Sequence, residues 1–237
     1  MKKKPARRKS AHIKILKNGP YEVAGDIPLD KAIVVSGKDG IPVKWKKGAA
    51  LKPENNYHLC RCGHSSNKPY CDGTHHKIKF NGTETAGRKK KYLEMAEPTI
   101  GPGLLLTDAE SFCSVGLFCH RNGDAWNLTE KSADKKARKT AIQEACDCPS
   151  GRLTAWDSRT GKAIEPGFKP GISLVEDTFR KASGPLWVKG GIKVRSSKGG
   201  TYETRNRVTL CRCGRSVNKP FCDGSHLPFK DGDKRVQ

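Results

Sequence analysis

The chain has 237 residues, of which 46 are Lys or Arg and 24 are Asp or Glu, so its formal net charge is +22. Only 35% of the residues are hydrophobic, and no stretch approaches the roughly 20 apolar residues that a membrane-spanning helix needs, so none is predicted. The positive field attracts anionic partners in general and does not specify which of them binds.

The first ten residues, MKKKPARRKS, are predicted to form a flexible basic arm at 1–10. No apolar segment long enough for a signal peptide follows them, and Pro5 interrupts the amphipathic pattern of a transit peptide. We therefore expect a soluble, cytoplasmic protein without membrane attachment. A location in the mitochondrial matrix is the alternative if the chain is eukaryotic.

The next segment, 11–98, resembles a later one, 184–237, in its order of features. GPYEVAGDI begins at Gly19 and GPLWVKGGI begins at Gly184, and each is predicted to form a Gly-Pro turn followed by strands and a Cys-rich loop. The first copy has more residues between its Gly-Pro and its first Cys, so we place an insertion within DGIPVKWKKGAALKPENN. These two segments are predicted to be pseudo-symmetric β-modules.

The middle segment, 99–183, has a different pattern. Alanines at four-residue spacing predict a helix over 133–145, with Ser132 as N-cap and Asp134 in the first turn. GRLTAWDSRTGKAIEP predicts a hairpin that turns through 158–161, and ISLVED predicts one more strand. The fold class is therefore predicted to be mainly β with a few short helices (α+β): two modules flanking a segment with one helix and a hairpin.

Each module ends in a nearly identical Cys-rich loop, CRCGHSSNKPYCDGTH and then CRCGRSVNKPFCDGSH. Both loops have the same spacing of three cysteines and a histidine. Ten cysteines in a chain expected to lie in a reducing compartment favour metal binding over disulfides. The candidate metal and cofactor ligands are Cys60, Cys62, Cys71 and His75 in the first loop, and Cys211, Cys213, Cys222 and His226 in the second.

The donor set suits zinc or an iron-sulfur cluster, because thiolates and imidazoles bind these soft or borderline metals. Zinc sites usually place two to four residues between paired cysteines, whereas one residue intervenes here, which favours a cluster without excluding zinc. In a [2Fe-2S] cluster one Cys pair serves the first iron, while a Cys and a His serve the second. Pro69 and Pro220 stiffen the approach to the third Cys, and the Asp-Gly turns that follow are predicted to cap a helix carrying the histidine.

Both loops resemble the CDGSH iron-sulfur domain of the NEET family, with the CDGTH of the first loop and the CDGSH of the second as its signature. The resemblance implies one redox-active [2Fe-2S] cluster per loop, hence two in the chain, and a monomer whose halves mimic a homodimer. It also implies electron transfer or cluster transfer, with a redox partner or an apo iron-sulfur acceptor protein. Histidine ligation would raise the potential and make each cluster labile in acid.

Four further cysteines lie in the middle segment: Cys113, Cys119, Cys146 and Cys148. Cys113, Cys119 and the Cys148-Pro dipeptide resemble the ligands of a divergent ferredoxin-like segment, and Cys146 has no counterpart in that pattern. A third cluster, buried free thiols and a transient Cys pair are the three alternatives, of which a scaffold with free thiols is favoured.

No catalytic arrangement or phosphate loop is recognisable, so we expect a protein that is not an enzyme. Two other functions remain open. The net charge is compatible with zinc modules that contact nucleic acid, although no recognition helix of the familiar finger type is apparent and no specific nucleic acid is expected. The middle segment is compatible with an accessory subunit of a redox enzyme.

Overall fold

The computed structural model describes residues 11–53 and 56–227. The predicted basic arm at 1–10 lies outside the described residues, as do two residues of the predicted insertion. The described chain is mostly β with a few short helices, as predicted. Its strands are β1 (His12–Ile15), β2 (Tyr21–Ala24), β3 (Leu29–Ser36), β4 (Pro42–Leu51), β5 (Asn56–Leu59), β6 (Glu97–Ile100), β7 (Leu104–Asp108), β8 (Leu153–Asp157), β9 (Ala163–Ile164), β10 (Gly171–Asp177), β11 (Ala182–Lys189), β12 (Lys193–Arg195) and β13 (Arg207–Leu210).

The helices are short except for one. Besides two 3-10 turns at Glu110–Phe112 and Phe118–His120, the described helices are α1 (Thr74–Lys77), α2 (Tyr92–Met95), α3 (Ala125–Glu130) and α4 (Lys135–Asp147). None of the helices in the described ranges is long and apolar enough to cross a membrane.

The two modules exchange strands. One sheet has the order β12-β1-β2-β5, and a second has the order β13-β11-β10-β3-β4. Three neighbouring strands of each sheet come from one part of the chain, and the strand beside them, β12 or β3, comes from the other part; in the second sheet β4 follows β3 at the edge. Both crossing strands pair in parallel, β12 with β1 and β3 with β10, so the two sheets repeat the same pairing pattern.

This exchange gives the two modules a common core. Ile13 and Val23 from the first sheet pack in the same buried cluster as Leu174, Leu186 and Val208 from the second. Burying an aliphatic side chain contributes about 1.5–3 kcal/mol, so the modules stabilise each other through this shared apolar surface. The two modules therefore fold as one intertwined unit rather than as two separate domains.

The insertion in the first module adds a strand to one sheet edge. β4 pairs antiparallel with β3 and has no counterpart in the other sheet. Its exposed lysines, Lys44, Lys46 and Lys47, suit an edge strand, since charged side chains discourage pairing with another chain.

The Gly-Pro pairs differ between the copies. Gly19 lies in a turn in which the Leu16 N–H donates to the Pro20 carbonyl at 3.0 Å, as predicted. The prediction of a turn at Gly184 is wrong, because Gly184 and Pro185 lie inside β11. The strand there begins earlier and pairs with β10 across a register shift.

The middle segment contributes a third sheet, β6-β7-β8-β9, on which α3 and α4 pack. The predicted hairpin is confirmed as β8 and β9, and ISLVED is confirmed within β10. The long helix begins two residues later than predicted, because Asp134 and not Ser132 is its N-cap: Asp134 Oδ1 accepts from the Ala137 N–H at 2.7 Å. Ser132 is buried and accepts from the Gly103 N–H instead.

Candidate metal centres

The first Cys-rich loop follows β5, and its four candidate ligands lie in two pairs. Cys60 and Cys62 have their Sγ atoms 3.7 Å apart, and Cys71 Sγ lies 3.3 Å from His75 Nδ1. Cys60, Cys62 and His75 are buried, whereas Cys71 is partly exposed.

The second loop follows β13 and repeats this arrangement. The Sγ atoms of Cys211 and Cys213 are 3.7 Å apart, and Cys222 Sγ lies 3.4 Å from His226 Nδ1. Cys211 and Cys222 are buried, and Cys213 is partly exposed. The structure therefore brings together, pair by pair, all eight ligands predicted from the sequence.

The spacing within each Cys-Cys pair suits two ligands of one metal. Two sulfur ligands of one tetrahedral metal at a bond length of about 2.3 Å lie about 3.8 Å apart, close to the spacing of each Cys-Cys pair. Within residues 11–53 and 56–227 no three Cys, His, Asp or Glu side chains converge tightly enough to hold one metal ion. Two ligands for each of two irons is the arrangement that a His-containing [2Fe-2S] site requires.

The same hydrogen bonds shape both loops. Cys60 N–H donates to the Pro69 carbonyl and Cys211 N–H donates to the Pro220 carbonyl, each at 2.8 Å. The hydroxyls of Ser65 and Ser216 donate to the carbonyl of the residue before the third Cys, at 2.6 and 2.7 Å. These bonds close each loop on itself and fix the ligand positions, which explains the near-identity of the two sequences.

The motif aspartates tie the two ends of each loop together. Asp72 accepts from the N–H groups of Ser66 and Thr74, and Asp223 accepts from those of Val217 and Ser225. Hydrogen bonds from Ser66 and then Thr74 hold the pKa of Asp72 well below its usual range. Each carboxylate therefore stays ionised and holds the two ends of its loop together beside the third Cys.

The predicted helix at the histidine forms only in the first loop. There α1 carries His75, and its N-cap is Gly73 rather than Asp72. In the second loop His226 lies in a turn, so the prediction of a capped helix is wrong for that copy within the described residues. The ligand geometry is the same without it.

Both histidines are held neutral. Burial, with smaller contributions from His76 and Arg61, lowers the pKa of His75. Burial, together with the guanidinium groups of Arg212 and Arg180, lowers the pKa of His226 to about 4. A neutral ring nitrogen is the form that binds a metal, so both residues are prepared for ligation at neutral pH.

The arginine between the first two cysteines of each loop is a structural residue that the sequence analysis missed. Arg61 is only 1% exposed and donates to the carbonyls of Leu16, Gly19 and Gly82 at 2.7–3.0 Å. Arg212 occupies the same position and donates to the carbonyl of Gly184 and to Glu176. An arginine stands between the first two cysteines of both loops, and this repetition in the sequence could have indicated its structural role.

Replacing Arg61 by Ala is expected to lower the free energy of unfolding by about 3 kcal/mol, because three backbone carbonyls lose a charged, buried donor. Denaturant unfolding of the full chain measures the change. Arg159→Ala is the control, since that side chain is 88% exposed, and it should cost little. Equal stability of the two variants would contradict the anchoring role of Arg61.

The two loops touch each other. Gly63 and Gly214 have φ of +80°, and a Cβ on either would lie 2.5 or 2.6 Å from the carbonyl oxygen of Cys213 or Cys62, respectively. Only glycine tolerates both the positive φ and this approach. The two candidate centres are therefore neighbours across the pseudo-symmetry axis.

A groove of about 400 Å³ opens between the loops onto ligands of both motifs, Cys60, Cys213 and His226. Basic side chains dominate its rim. They are Lys68, Lys181, Arg212 and Arg215. Lys219, which matches Lys68 in the repeat, instead donates to the Ser216 carbonyl and so braces its own loop.

Three of the four middle cysteines line one cavity of about 700 Å³. They are Cys113, Cys119 and Cys148. Burial raises the pKa of Cys119, and the nearby Cys148 and Cys113 raise it further. Three clustered thiols around a cavity match the donor chemistry of an iron-sulfur cluster, one thiol short of a four-Cys set.

Cys146 lies elsewhere, with its Sγ 3.6 Å from the Ile164 carbonyl of the hairpin. The cavity wall also includes Arg152, which forms a two-point ion pair with Asp108 at 2.5 and 2.7 Å. Burial alone would lower the pKa of this guanidinium, but its hydrogen bond to Asp108, together with the charges of Cys113 and Asp108, raises it overall. A fixed cation beside thiolates partly neutralises their charge.

Comparison with known protein families agrees with these positions. The model described as the iron-binding zinc finger of CDGSH type matches residues 18–76 and again residues 183–227. The chain therefore contains two CDGSH-type motifs. Between the CDGSH matches, the model described as a divergent 4Fe-4S mono-cluster matches residues 100–158, which include all four middle cysteines. No curated protein matches the chain. Together the matches support an iron-sulfur protein and confirm the resemblance read from the two loops.

Proposed function

We propose that this CDGSH protein holds two redox-active [2Fe-2S] clusters, one in each motif, and acts in electron transfer or cluster transfer rather than as an enzyme. The observation that carries the proposal is the pairing of the ligands. Each loop presents a Cys-Cys pair and a Cys-His pair at metal-sharing distances, with no tighter group of three among the described residues. When bound, the clusters supply one-electron chemistry.

The chain's own residues would hold these clusters in a charge-balanced setting. In each loop the Cys-Cys pair would bind one iron and the Cys-His pair would bind the other. The Cys-Cys pairs are Cys60 with Cys62 and Cys211 with Cys213. Neutral imidazoles reduce the negative charge of each site, which favours a higher potential than a four-thiolate site has. Zinc modules that contact nucleic acid are the alternative, which the high positive charge favours.

The middle cavity favours a third cluster over the free thiols that were expected from the sequence. Cys113, Cys119 and Cys148 share that cavity, and the matched family model is described as a 4Fe-4S mono-cluster. With three protein thiols, one iron of such a cluster would take a ligand other than Cys. Cys146 is excluded from the site because it faces the hairpin.

The basic groove between the loops suits a partner with an acidic surface. Cations on its rim would draw such a partner to the point where ligands of both clusters approach the surface. A redox partner or an apo iron-sulfur acceptor protein fits this requirement.

The test is the composition and visible spectrum of protein purified without oxygen. We expect at least four iron and four sulfide per chain, with charge-transfer bands that bleach on one-electron reduction. A colourless protein with about two zinc ions would overturn the proposal and favour the zinc-module alternative.

Replacing His226 by Cys is expected to slow cluster loss in acid by about tenfold, because a protonated imidazole leaves the metal more readily than a thiolate does. The decay of visible absorbance at pH 5 to 6 measures the rate. His76→Cys is the matched control, since His76 is exposed and stands next to the ligand His75. Unchanged acid loss in the His226 variant would contradict the role of histidine as the acid-labile ligand.

A further inference from the structure

One loop, residues 111–117, lies between the middle cavity and the second CDGSH motif; we term it the bridging loop. The Asn218 amide donates to the Ser111 carbonyl at 2.6 Å. The Phe112 ring meets the Phe221 ring edge-on, with centroids 5.0 Å apart. Phe221 immediately precedes the ligand Cys222, so the bridging loop buttresses the backbone that carries this ligand.

The second motif also forms part of the cavity wall. Val217, Asn218 and Asp223 line the same cavity as the three middle thiols. Cys222 is buried and directly precedes Asp223 in this wall. The middle thiols and the second CDGSH motif therefore share one cavity.

The bridging loop reaches the histidine side of the motif as well. Val115 packs with Ala182 and with Leu227, the residue after His226, and Cys113 packs against this cluster. A small space of about 20 Å³ lies between Gly116 and His226. The Cys-His pair of the second motif is thus supported from two directions by one segment, which itself carries Cys113.

The first motif does not border the middle cavity, because none of the described residues of its loop, 60–75, lines it. Asn67, which corresponds to Asn218, is exposed, and so is Asp72, which corresponds to Asp223. The third Cys of the first loop is partly exposed, whereas that of the second is buried.

We infer that the middle thiol site and the second CDGSH site form one coupled two-centre unit, while the loop of the first CDGSH site, 60–75, does not line the middle cavity. The inference rests on the proposed function. Occupation of the middle site holds Cys113, and with it the bridging loop, in the position that supports Cys222 and His226. By reciprocity, metal in the second motif stabilises the wall of the middle cavity.

The test measures iron release to a ferrous chelator from the full-length, reduced protein in two backgrounds. Cys71→Ser removes the first site and leaves the second, and Cys222→Ser does the reverse. Adding Cys148→Ser, which removes a middle-site thiol that lies outside the bridging loop, should speed release from the second site by about fivefold or more and leave the first unchanged. Cys146→Ser is the matched control and should change neither rate.

A milder pair of variants tests the contact itself. Asn218→Ala removes the bond to Ser111 and should also speed release from the second site, whereas Asn67→Ala at the equivalent exposed position should not affect the first. Retained iron with equal rates in all variants, or equal acceleration at both sites, would overturn the coupling alone. Absence of iron from both backgrounds would overturn the proposed function together with it.

Discussion

Replacing Cys148 by Ser is expected to reduce the iron content from more than four to about four per chain, because a two-thiol remnant of the middle site does not hold a cluster. Cys148 lines the cavity with Cys113 and Cys119, and its thiol lies 3.5 Å from the Ser150 hydroxyl. Iron and sulfide analysis of protein purified without oxygen measures the change. Spectroscopy of the reduced protein should lose one set of signals and keep those of the CDGSH sites.

Cys146→Ser separates this loss from a general effect of removing a thiol. Cys146 is two residues away on the same chain, but it faces the Ile164 carbonyl, and a serine hydroxyl can make the same contact. The control should keep the full iron content. An iron content of about four in the unchanged protein, or equal losses in the two variants, would contradict a third cluster on these three thiols.

The ligand loops were predictable because their information is local. Spacing within sixteen residues placed the Cys-Cys and Cys-His pairs, and the structure brings each pair together. The hairpin and the strand in ISLVED were predictable for the same reason, since turn residues and β-rich runs act over a few positions. The predicted helix start was two residues too early because Ser132 was expected to be the N-cap, whereas Asp134, expected in the first turn, caps the helix.

The strand exchange and the shared cavity were not predictable from such local signals. Which sheet β3 or β12 joins depends on pairing partners more than a hundred residues away. The contact of Asn218 with Ser111 also joins residues more than a hundred positions apart, and the carbonyls that Arg61 reaches lie outside its own loop. A repeated sequence predicts two similar modules, but it does not indicate that one strand of each module pairs in the sheet of the other.

Glu144 is another residue whose role depends on tertiary packing. A glutamate in the middle of a helix usually faces water, yet Glu144 is 0% exposed and neither carboxylate oxygen has a hydrogen-bond partner. Burial raises its pKa to about 8; Arg121 opposes this change, and Asp124 and Asp147 add to it. The folded protein therefore carries a protonated Glu144 at neutral pH, whereas the unfolded chain carries an ionised one.

Glu144→Gln is expected to remove a pH-dependent loss of stability. A carboxyl with a raised folded-state pKa stabilises the fold below its unfolded pKa of about 4.5, and this contribution is lost as the pH rises to about 8. The free energy of unfolding of the unchanged protein should therefore fall relative to that of the variant by about 1.4 kcal/mol per pH unit between pH 6 and 7, and by less as the pH approaches 8. Above pH 8 the difference should level off at about 3 to 4 kcal/mol relative to pH 5.

Denaturant unfolding of both proteins at several pH values measures this difference, and comparing the two removes the contribution of every other titrating group. Glu130→Gln is the control, because Glu130 lies at the exposed end of the neighbouring helix α3, and its substitution should leave the pH dependence unchanged. Parallel curves for the Glu144 variant and the unchanged protein would show that the carboxyl is ionised in the fold. In that case a counter-charge would have to reach Glu144, and Arg121, the cation that already opposes its protonation, is the group to replace next.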